Sequence, residues 1–284
     1  MMMREDQNCG ESPPPLCDMI AALVLFTTLA AASAASSASR WRPLESSAAP
    51  TGDDWSAIPF PPTPVTLNAT RFVGHFRTTG RAYDATLATF DARKWSVGLP
   101  PNGCVDHAST SSSASLLSCA YAANAGFFDF PPHAACVGNL ILNSTVKQFT
   151  STVSVNIAAN ATHTMIGYSS NATVASVAPS SLVSGQFWLV RDGAPYVTHS
   201  REFPATGKAP TFVTERAPRT GSGVRADGVG MTLAVDGIEG QSLGADLFEF
   251  SDLFIELGAV IAMNNDGGGS TTTALHGKVF NTPQ

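Results

Sequence analysis

The stretch that most constrains this chain is Ala259–Thr273, AVIAMNNDGGGSTTT. Its apolar half, Ala259 to Met263, is short, aliphatic and followed at once by turn residues, which predicts a buried strand. That strand delivers Asn264, Asn265 and Asp266 to its mouth. Gly267, Gly268 and Gly269 come next, and glycine accepts positive φ and lets a ligand approach the backbone closely. Successive N–H groups in such a turn predict an anion-binding nest, with the hydroxyls of Ser270 and Thr271 beside it. A carboxylate next to an anion cradle at the mouth of a buried strand is a candidate site. The competing reading is a flexible loop with an Asp-Gly turn.

The 284 residues are 44% apolar, enough for a core, and only 13% charged, with a net charge of −6. No Lys/Arg run occurs, so nucleic acid is not an expected partner. Met19–Ala35 is the one long uncharged apolar segment, and Ala32-Ser33-Ala34 fits a signal-peptidase site before Ala35. Residues 1–35 are read first as a cleaved signal peptide and second as a signal anchor, the only route to a membrane. Four N-x-[ST] sequons follow, at Asn68, Asn143, Asn160 and Asn171, as expected for glycosylation in the secretory lumen or on a secreted protein. Cys9 and Cys17 precede the leader. Cys104, Cys119 and Cys136 remain, an odd number that implies one disulfide and one leftover thiol.

Residues 36–64, rich in Ser, Ala and Pro, are read as a linker. From 65 to 284 the pattern is one α+β domain with a mixed β-sheet and few helices. Strands are expected at Arg71–Arg77, Ala82–Phe90, Lys94–Val97, Val137–Leu142 and Val146–Ile157, with a short helix within Ser109–Ala123. Ala158–Ser184 is read as a polar surface excursion. Asp192-Gly193 predicts a hairpin between Phe187–Val190 and Tyr196–Thr198. A strand pair, Val224–Ala226 and Gly230–Val235, turns at Asp227-Gly228. The clearest helix spans about Ala245–Leu257, capped by Asp246 and ended by Gly258. Its Glu249, Asp252 and Glu256 are expected on a solvated face. A last hairpin turns at His276-Gly277.

Standard templates are missing: there is no G-x-x-x-x-G-K-[ST], no H-E-x-x-H and no G-x-S-x-G. The six histidines show no metal-ligand spacing, so neither metal nor cofactor is expected. Four loops remain: Asn124 to Phe128, Arg219-Thr220, Asp236-Gly237 and Asp266 to Thr271. NAGFF, the RT-x-x-G of Arg219, Thr220 and Gly223, Asp236-Gly237, GADLFEFSDLF and above all N-x-DGGGST resemble, in the same order, the motifs of the phosphodiester glycosidase family.

The resemblance implies hydrolysis of a sugar-1-phosphodiester at the sugar side. In the family this includes removal of N-acetylglucosamine that caps mannose 6-phosphate on glycoproteins, so the implied partner is a phosphoglycan or glycoprotein in the Golgi or endolysosomal lumen. Its chemistry assigns Asp266 to the anomeric carbon, as stabiliser of an oxocarbenium-like transition state, nucleophile or base. Arg219 becomes a bidentate clamp on the phosphate. Asn124 would orient a sugar hydroxyl or acetamide, and Asp236 is a candidate second carboxylate. Gly267, Gly268, Gly269, Ser270, Thr271 and Thr220 would bind substrate. Phe127 and Phe128 are read as core aromatics. Matching positions imply a Cys104–Cys136 disulfide with Cys119 left over. The chain departs from the family in two ways: Asn265 stands where an aliphatic residue is usual, and members usually continue past the point of Gln284 into another strand. A second reading of the same residues is therefore a catalytically inactive glycan- or phosphate-binding relative.

Overall fold

The computed structural model describes residues 2–5 and 55–284, apart from 107, 130–134, 151–152, 171–172, 175–176, 205–206 and 208. The apolar leader, most of the 36–64 linker and the Asn171 sequon lie outside the described residues. No described helix is long and apolar enough to cross a membrane.

Three antiparallel sheets form an α+β fold, with strands numbered along the chain. The largest runs β13 (Ala194–Pro195), β12 (Trp188–Arg191), β16 (Ala259–Asn264), β14 (Arg219–Arg225), β15 (Val229–Val235), β4 (Ala82–Asp91) and β3 (Asn68–His75). A six-stranded sheet runs β2 (Trp55–Pro59), β10 (His163–Gly167), β9 (Asn156–Ala159), β11 (Ser181–Ser184), β7 (Leu140–Leu142) and β8 (Thr145–Gln148). The third runs β18 (Lys278–Val279), β17 (Thr273–Leu275), β6 (Tyr121–Asn124), β1 (Met2–Glu5) and β5 (Trp95–Gly98). Because β1 precedes the leader, cleavage before Ala35 would take it from between β5 and β6.

The strand that opens the glycine motif is central and buried on both faces. Ile261 and Met263 point into a core shared with Trp95, Ile157, Ile166 and Trp188. Ala259 and Ala262 point the other way, onto Leu247, Phe250 and Phe254. Two-sided burial explains why β16 reads as a continuous apolar run rather than an alternating one. Besides α1 (Thr110–Leu116) and α2 (Thr211–Thr214), the helix on that second face is α3 (Leu247–Glu256). Asp246 caps it, accepting from Phe248 N and Glu249 N at 3.0 and 2.9 Å, while Glu249 Oε2 accepts from Asp246 N at 3.2 Å, a capping box. Gly258 closes the helix at φ +92°.

Several expectations need correcting. Ala158–Ser184 is no surface excursion: it carries β10 and β11, whose Ile166, Leu182 and Val183 are fully buried. Its strands are too short, and too rich in buried Thr and Ser, to stand out from the polar turns around them. Val146–Ile157 is not one strand but holds β8 and the start of β9. The linker gives up Trp55–Pro59 to β2, which pairs with β10 along its full length. Glu249 and Asp252 are buried, not solvated. The β3–β4 turn covers that helix face, so Thr79 Oγ1 and Arg81 Nη1 donate to Glu249 at 2.6 and 2.7 Å. Glu256 stays toward solvent, paired with Arg77 at 2.9 Å.

β14 begins at Arg219, five residues before its expected start, because Gly221 and Gly223 are where α3 lands. A Cβ at Gly221 would sit 2.7 Å from the Phe254 ring and 2.9 Å from the Phe250 ring. Gly221→Ala is therefore expected to lower unfolding free energy by about 1–3 kcal/mol through overpacking, read by denaturant titration. Unchanged stability would mean that α3 does not seat on this stripe.

Candidate active site

The end of β16 is held from two sides by backbone alone. Gly221 pairs with Asn264, Asn265 N donates to Thr220 O at 2.8 Å, and Asp266 N donates to Ala125 O at 2.7 Å. The strand leaving the largest sheet is thus tied both to β14 and to the segment after β6. Asn124 completes the join. Its Nδ2 donates to Asp266 O at 2.7 Å, its Oδ1 accepts from Thr220 Oγ1 at 2.8 Å and Thr272 N at 3.0 Å, and its own N–H donates to Thr272 O at 3.0 Å. The side chain expected to orient a sugar hydroxyl lines the cleft while its Oδ1 and one Nδ2 hydrogen are held by the protein. Thr220, expected to bind substrate, is fully buried and bonded to Asn124.

Asn265 does not face the site. It is fully buried, and its Nδ2 donates to Ser222 Oγ at 2.9 Å and to Asn124 O at 3.4 Å. Its amide is a further strut under the Asn124 join, a place an aliphatic side chain could not fill in the same way.

The glycine turn is not the open nest that three glycines predict. Gly267 N donates to Asp266 Oδ1 at 2.9 Å and Gly268 N to Pro218 O at 2.9 Å. The turn then winds into one 3₁₀ turn, with Ser270 N and Thr271 N donating back to Gly267 O and Gly268 O. Two of the three glycine N–H groups are consumed. The close approach these glycines permit is chiefly to the protein itself: a Cβ at Gly267 would lie 2.7 Å from Pro218 O. Thr271 is fully buried. Gly269 borders the cleft, and nothing lies within 4 Å of where its Cβ would be.

Arg219 and Asp236 are brought close but not into the cleft. Arg219 is 2% exposed; its Nε donates to Ala245 O at 3.1 Å and its Nη2 to Phe212 O and Glu215 O at 2.9 and 2.8 Å. The guanidinium lies 4.7 Å over the Phe212 ring. It knits backbone beneath the turn, and burial pulls its pKa down to about 10 against the attraction of Glu215, Asp246 and Glu239. Asp236 holds the tail, accepting from Asn281 Nδ2 at 2.7 Å and Thr282 N at 2.9 Å. Asn281 in turn donates to Thr271 O at 3.1 Å and accepts from Thr273 N at 2.7 Å. Asp236 therefore supports the far leg of the turn, one residue removed.

In front of this scaffold is a cleft of about 370 Å³. Asp266, Asn124, Gly269, Ser270 and Thr272 form one wall; Leu99, Pro100, Ser109, Thr110 and Ser113 form the other; Gly126 and Phe128 close it. Phe127 and Phe128 are half-buried rather than core: Phe128 is cleft wall, and Phe127 packs on Phe212 at 6.2 Å. The Cys104–Cys136 disulfide has formed, with Cα atoms 5.3 Å apart, and Cys104 lines the cleft. Cys119 is buried outside it. The Leu99–Ser113 wall was not singled out from sequence; its signals were the Pro-Pro-Asn-Gly turn and Cys104, both legible but silent about direction. Among the described lining residues Asp266 is the charged one. Burial pushes its carboxyl above the ordinary value, while the Ser270 hydroxyl and Gly267 N–H pull it back.

The site is thus one carboxylate facing a cleft whose other described lining residues are neutral. The chain belongs to the phosphodiester glycosidase family, whose profile matches residues 118–284. It is 29% identical over 244 residues to the human N-acetylglucosamine-1-phosphodiester alpha-N-acetylglucosaminidase, covering 81% of this chain and 47% of that protein. The bovine counterpart is 29% identical over 242 residues, covering 79% and 46%. The chain thus spans about half the length of these relatives. A solved structure titled as the zebrafish enzyme's catalytic domain, auto-inhibited by pro-peptide, shares the fold: TM-score 0.71, 23% identity, 82% of this chain and 81% of that one.

A carboxyl whose folded pKa is raised is more protonated in the folded than in the unfolded chain. Its contribution to stability is present below the unfolded value and is lost as pH rises through the folded one. Asp266→Asn is accordingly expected to raise the melting temperature at neutral pH, with the gain disappearing in acid below the ordinary Asp value of about 4. A pH-independent difference, or a loss at neutral pH, would contradict the assigned burial of this charge.

Proposed function

We propose that this protein hydrolyses a sugar-1-phosphodiester at the sugar side, with Asp266 as the carboxylate that faces the anomeric carbon. The observation that carries this reading is a carboxylate held at its main chain by Asn124 and presented to a cleft whose described lining is otherwise neutral. A cleft of that size accommodates one sugar ring with its substituents. The hydroxyls of Ser109, Thr110, Ser113, Ser270 and Thr272 suit sugar hydroxyls, and Leu99, Pro100 and Phe128 suit the apolar face of the ring.

The leaving group is a phosphomonoester, a stable anion, so departure calls for charge stabilisation rather than a strong acid. That matches a site in which no second carboxylate lines the described cleft. The phosphate would sit beside Gly269 and Ser270, the turn residues that line the cleft. Arg219 then contributes a fixed positive charge from beneath the turn rather than a bidentate grip, since its Nε and Nη2 are bound to carbonyls. Gly267, Gly268 and Thr271 shape the turn, while Gly269 and Ser270 are the members that meet the substrate.

The finer reading is removal of N-acetylglucosamine from a phosphomannose on glycoproteins, exposing mannose 6-phosphate. Its support is the activity named for the human and bovine relatives. A secretory setting is supported by the leader and by the exposure of two sequon residues, Asn68 and Asn143.

Incubation with an α-N-acetylglucosamine-1-phospho-6-mannoside is expected to release free N-acetylglucosamine. Asp266→Asn should reduce turnover on the order of 10³-fold or more while the protein stays folded. Binding without release by the folded wild-type chain would overturn the enzyme reading in favour of a glycan-binding one.

A further inference from the structure

The Leu99–Ser113 side of the cleft is fixed at its two ends and by one bond between them. Leu99 follows β5 and packs on the core that holds Trp95 and Ile157. At the other end Ser109 caps α1, its hydroxyl accepting from Ser112 N at 3.2 Å. Between them, the described residues 100–106 and 108 hydrogen-bond only among themselves. Gly103 N donates to Pro100 O at 2.9 Å, and Asn102 donates to Asp106 through N and Nδ2 at 3.0 and 2.7 Å. None of the 3₁₀ turn Gly103–Asp106 is buried. Yet Pro100, Gly103, Cys104 and Ala108 all line the cleft. Among the described residues, the bond that carries this stretch to another part of the chain is the Cys104–Cys136 disulfide. Its Cys136 end is firmly placed. Cys136 O and Gly138 O each accept from Gln148 Nε2, on β8, at 2.7 Å. Cys136 also forms an antiparallel bridge with Phe128, flanked by Asp129 N donating to Ala135 O and Val137 N to Phe127 O, both at 2.8 Å. Phe128 lines the cleft as well. One disulfide thus joins two cleft-lining segments and moors both to the six-stranded sheet.

We propose that the Cys104–Cys136 disulfide is a clasp that positions the sugar-binding side of the cleft, so that tight substrate binding requires the oxidised pair. The inference rests on the phosphodiester glycosidase reading above. With the bond broken, residues 100–108 form a loop fixed only at its ends, and substrate must order it on binding, which costs affinity. Asp266 keeps its place, because Asn124 and Gly267 hold it through bonds that involve neither cysteine. A wall that touches the sugar equally before and during bond breaking contributes uniform binding, so its loss raises KM and leaves kcat. A disulfide that served only to constrain the unfolded chain would change the melting temperature and leave KM alone. Breaking it is thiol–disulfide exchange with a dithiol: the S–S bond opens, both cysteine sulfurs end as thiols, and the dithiol closes to its own disulfide.

The test measures kcat and KM on the same phosphodiester, well below the melting temperature. Three samples are compared: oxidised protein, protein reduced with dithiothreitol, and the Cys104→Ser, Cys136→Ser double variant. Both disulfide-free samples are expected to show KM raised about tenfold or more, with kcat within about threefold of the oxidised protein. Oxidised glutathione should restore KM in the reduced sample and not in the double variant. Gln148→Leu keeps the disulfide but loosens its mooring, and its KM is expected to rise about threefold with kcat kept. A folded disulfide-free protein whose KM stays within about twofold of the oxidised one overturns the proposal, as does one that loses kcat alone. If removing the disulfide unfolds the chain, a Gln148→Leu enzyme with wild-type KM overturns it. An oxidised, folded wild-type protein that releases no sugar overturns the glycosidase reading itself, and this assignment with it.

Discussion

The Asn124 side chain is the interaction on which the site depends. β6 belongs to one sheet and β14 and β16 to another, and no ladder joins them. The Asn124 amide joins them beside the Asp266 N–Ala125 O bond: it donates to the main chain of Asp266 and accepts from Thr220 and Thr272. Asn124 is 6% exposed and Thr220 fully buried, so the Thr220 hydroxyl would be left buried and unpaired without it, at about 1–3 kcal/mol. The same bonds that seal a gap between sheets fix where a carboxylate stands. Asn265 reinforces the join from behind through Ser222 and the Asn124 carbonyl, and Asp236 through Asn281 steadies the other leg of the turn.

This division of labour changes what the glycine run means. Three glycines next to an acid suggest a nest for a bound anion, yet two of their N–H groups are spent on Asp266 and Pro218. They let the turn lie flat against Pro218–Arg219 on one face and Glu239 on the other. The turn packs against its own protein more than it forms a cradle, and Arg219 is bound to the carbonyls of Phe212, Glu215 and Ala245 beneath it.

What the sequence disclosed follows from which signals are local. β16 and α3 were legible because an apolar run, a capping Asp with its Glu249 partner, and a closing Gly258 carry their own evidence. The turns at Asp192-Gly193 and His276-Gly277 were legible for the same reason: all four residues adopt positive φ. β14 was read short because Thr-Gly-Ser-Gly has poor strand propensity, and only the rings of Phe250 and Phe254 above it explain the glycines. Glu249 was misread as solvated because the hairpin that buries it comes from 170 residues earlier. Asp266 and its turn stood out on their own residues. The Leu99–Ser113 side of the cleft carried legible turn and cysteine signals, but which way it faces depends on neighbours distant in sequence.

The central claim is that Asp266 directs bond breaking to the carbon side of the sugar–phosphate linkage. The most direct test is hydrolysis in ¹⁸O-enriched water, with the phosphomonoester product followed by its ³¹P isotope shift. Attack at the anomeric carbon predicts phosphate with no ¹⁸O. Incorporation of one ¹⁸O into the phosphomonoester would show cleavage at phosphorus and contradict the account.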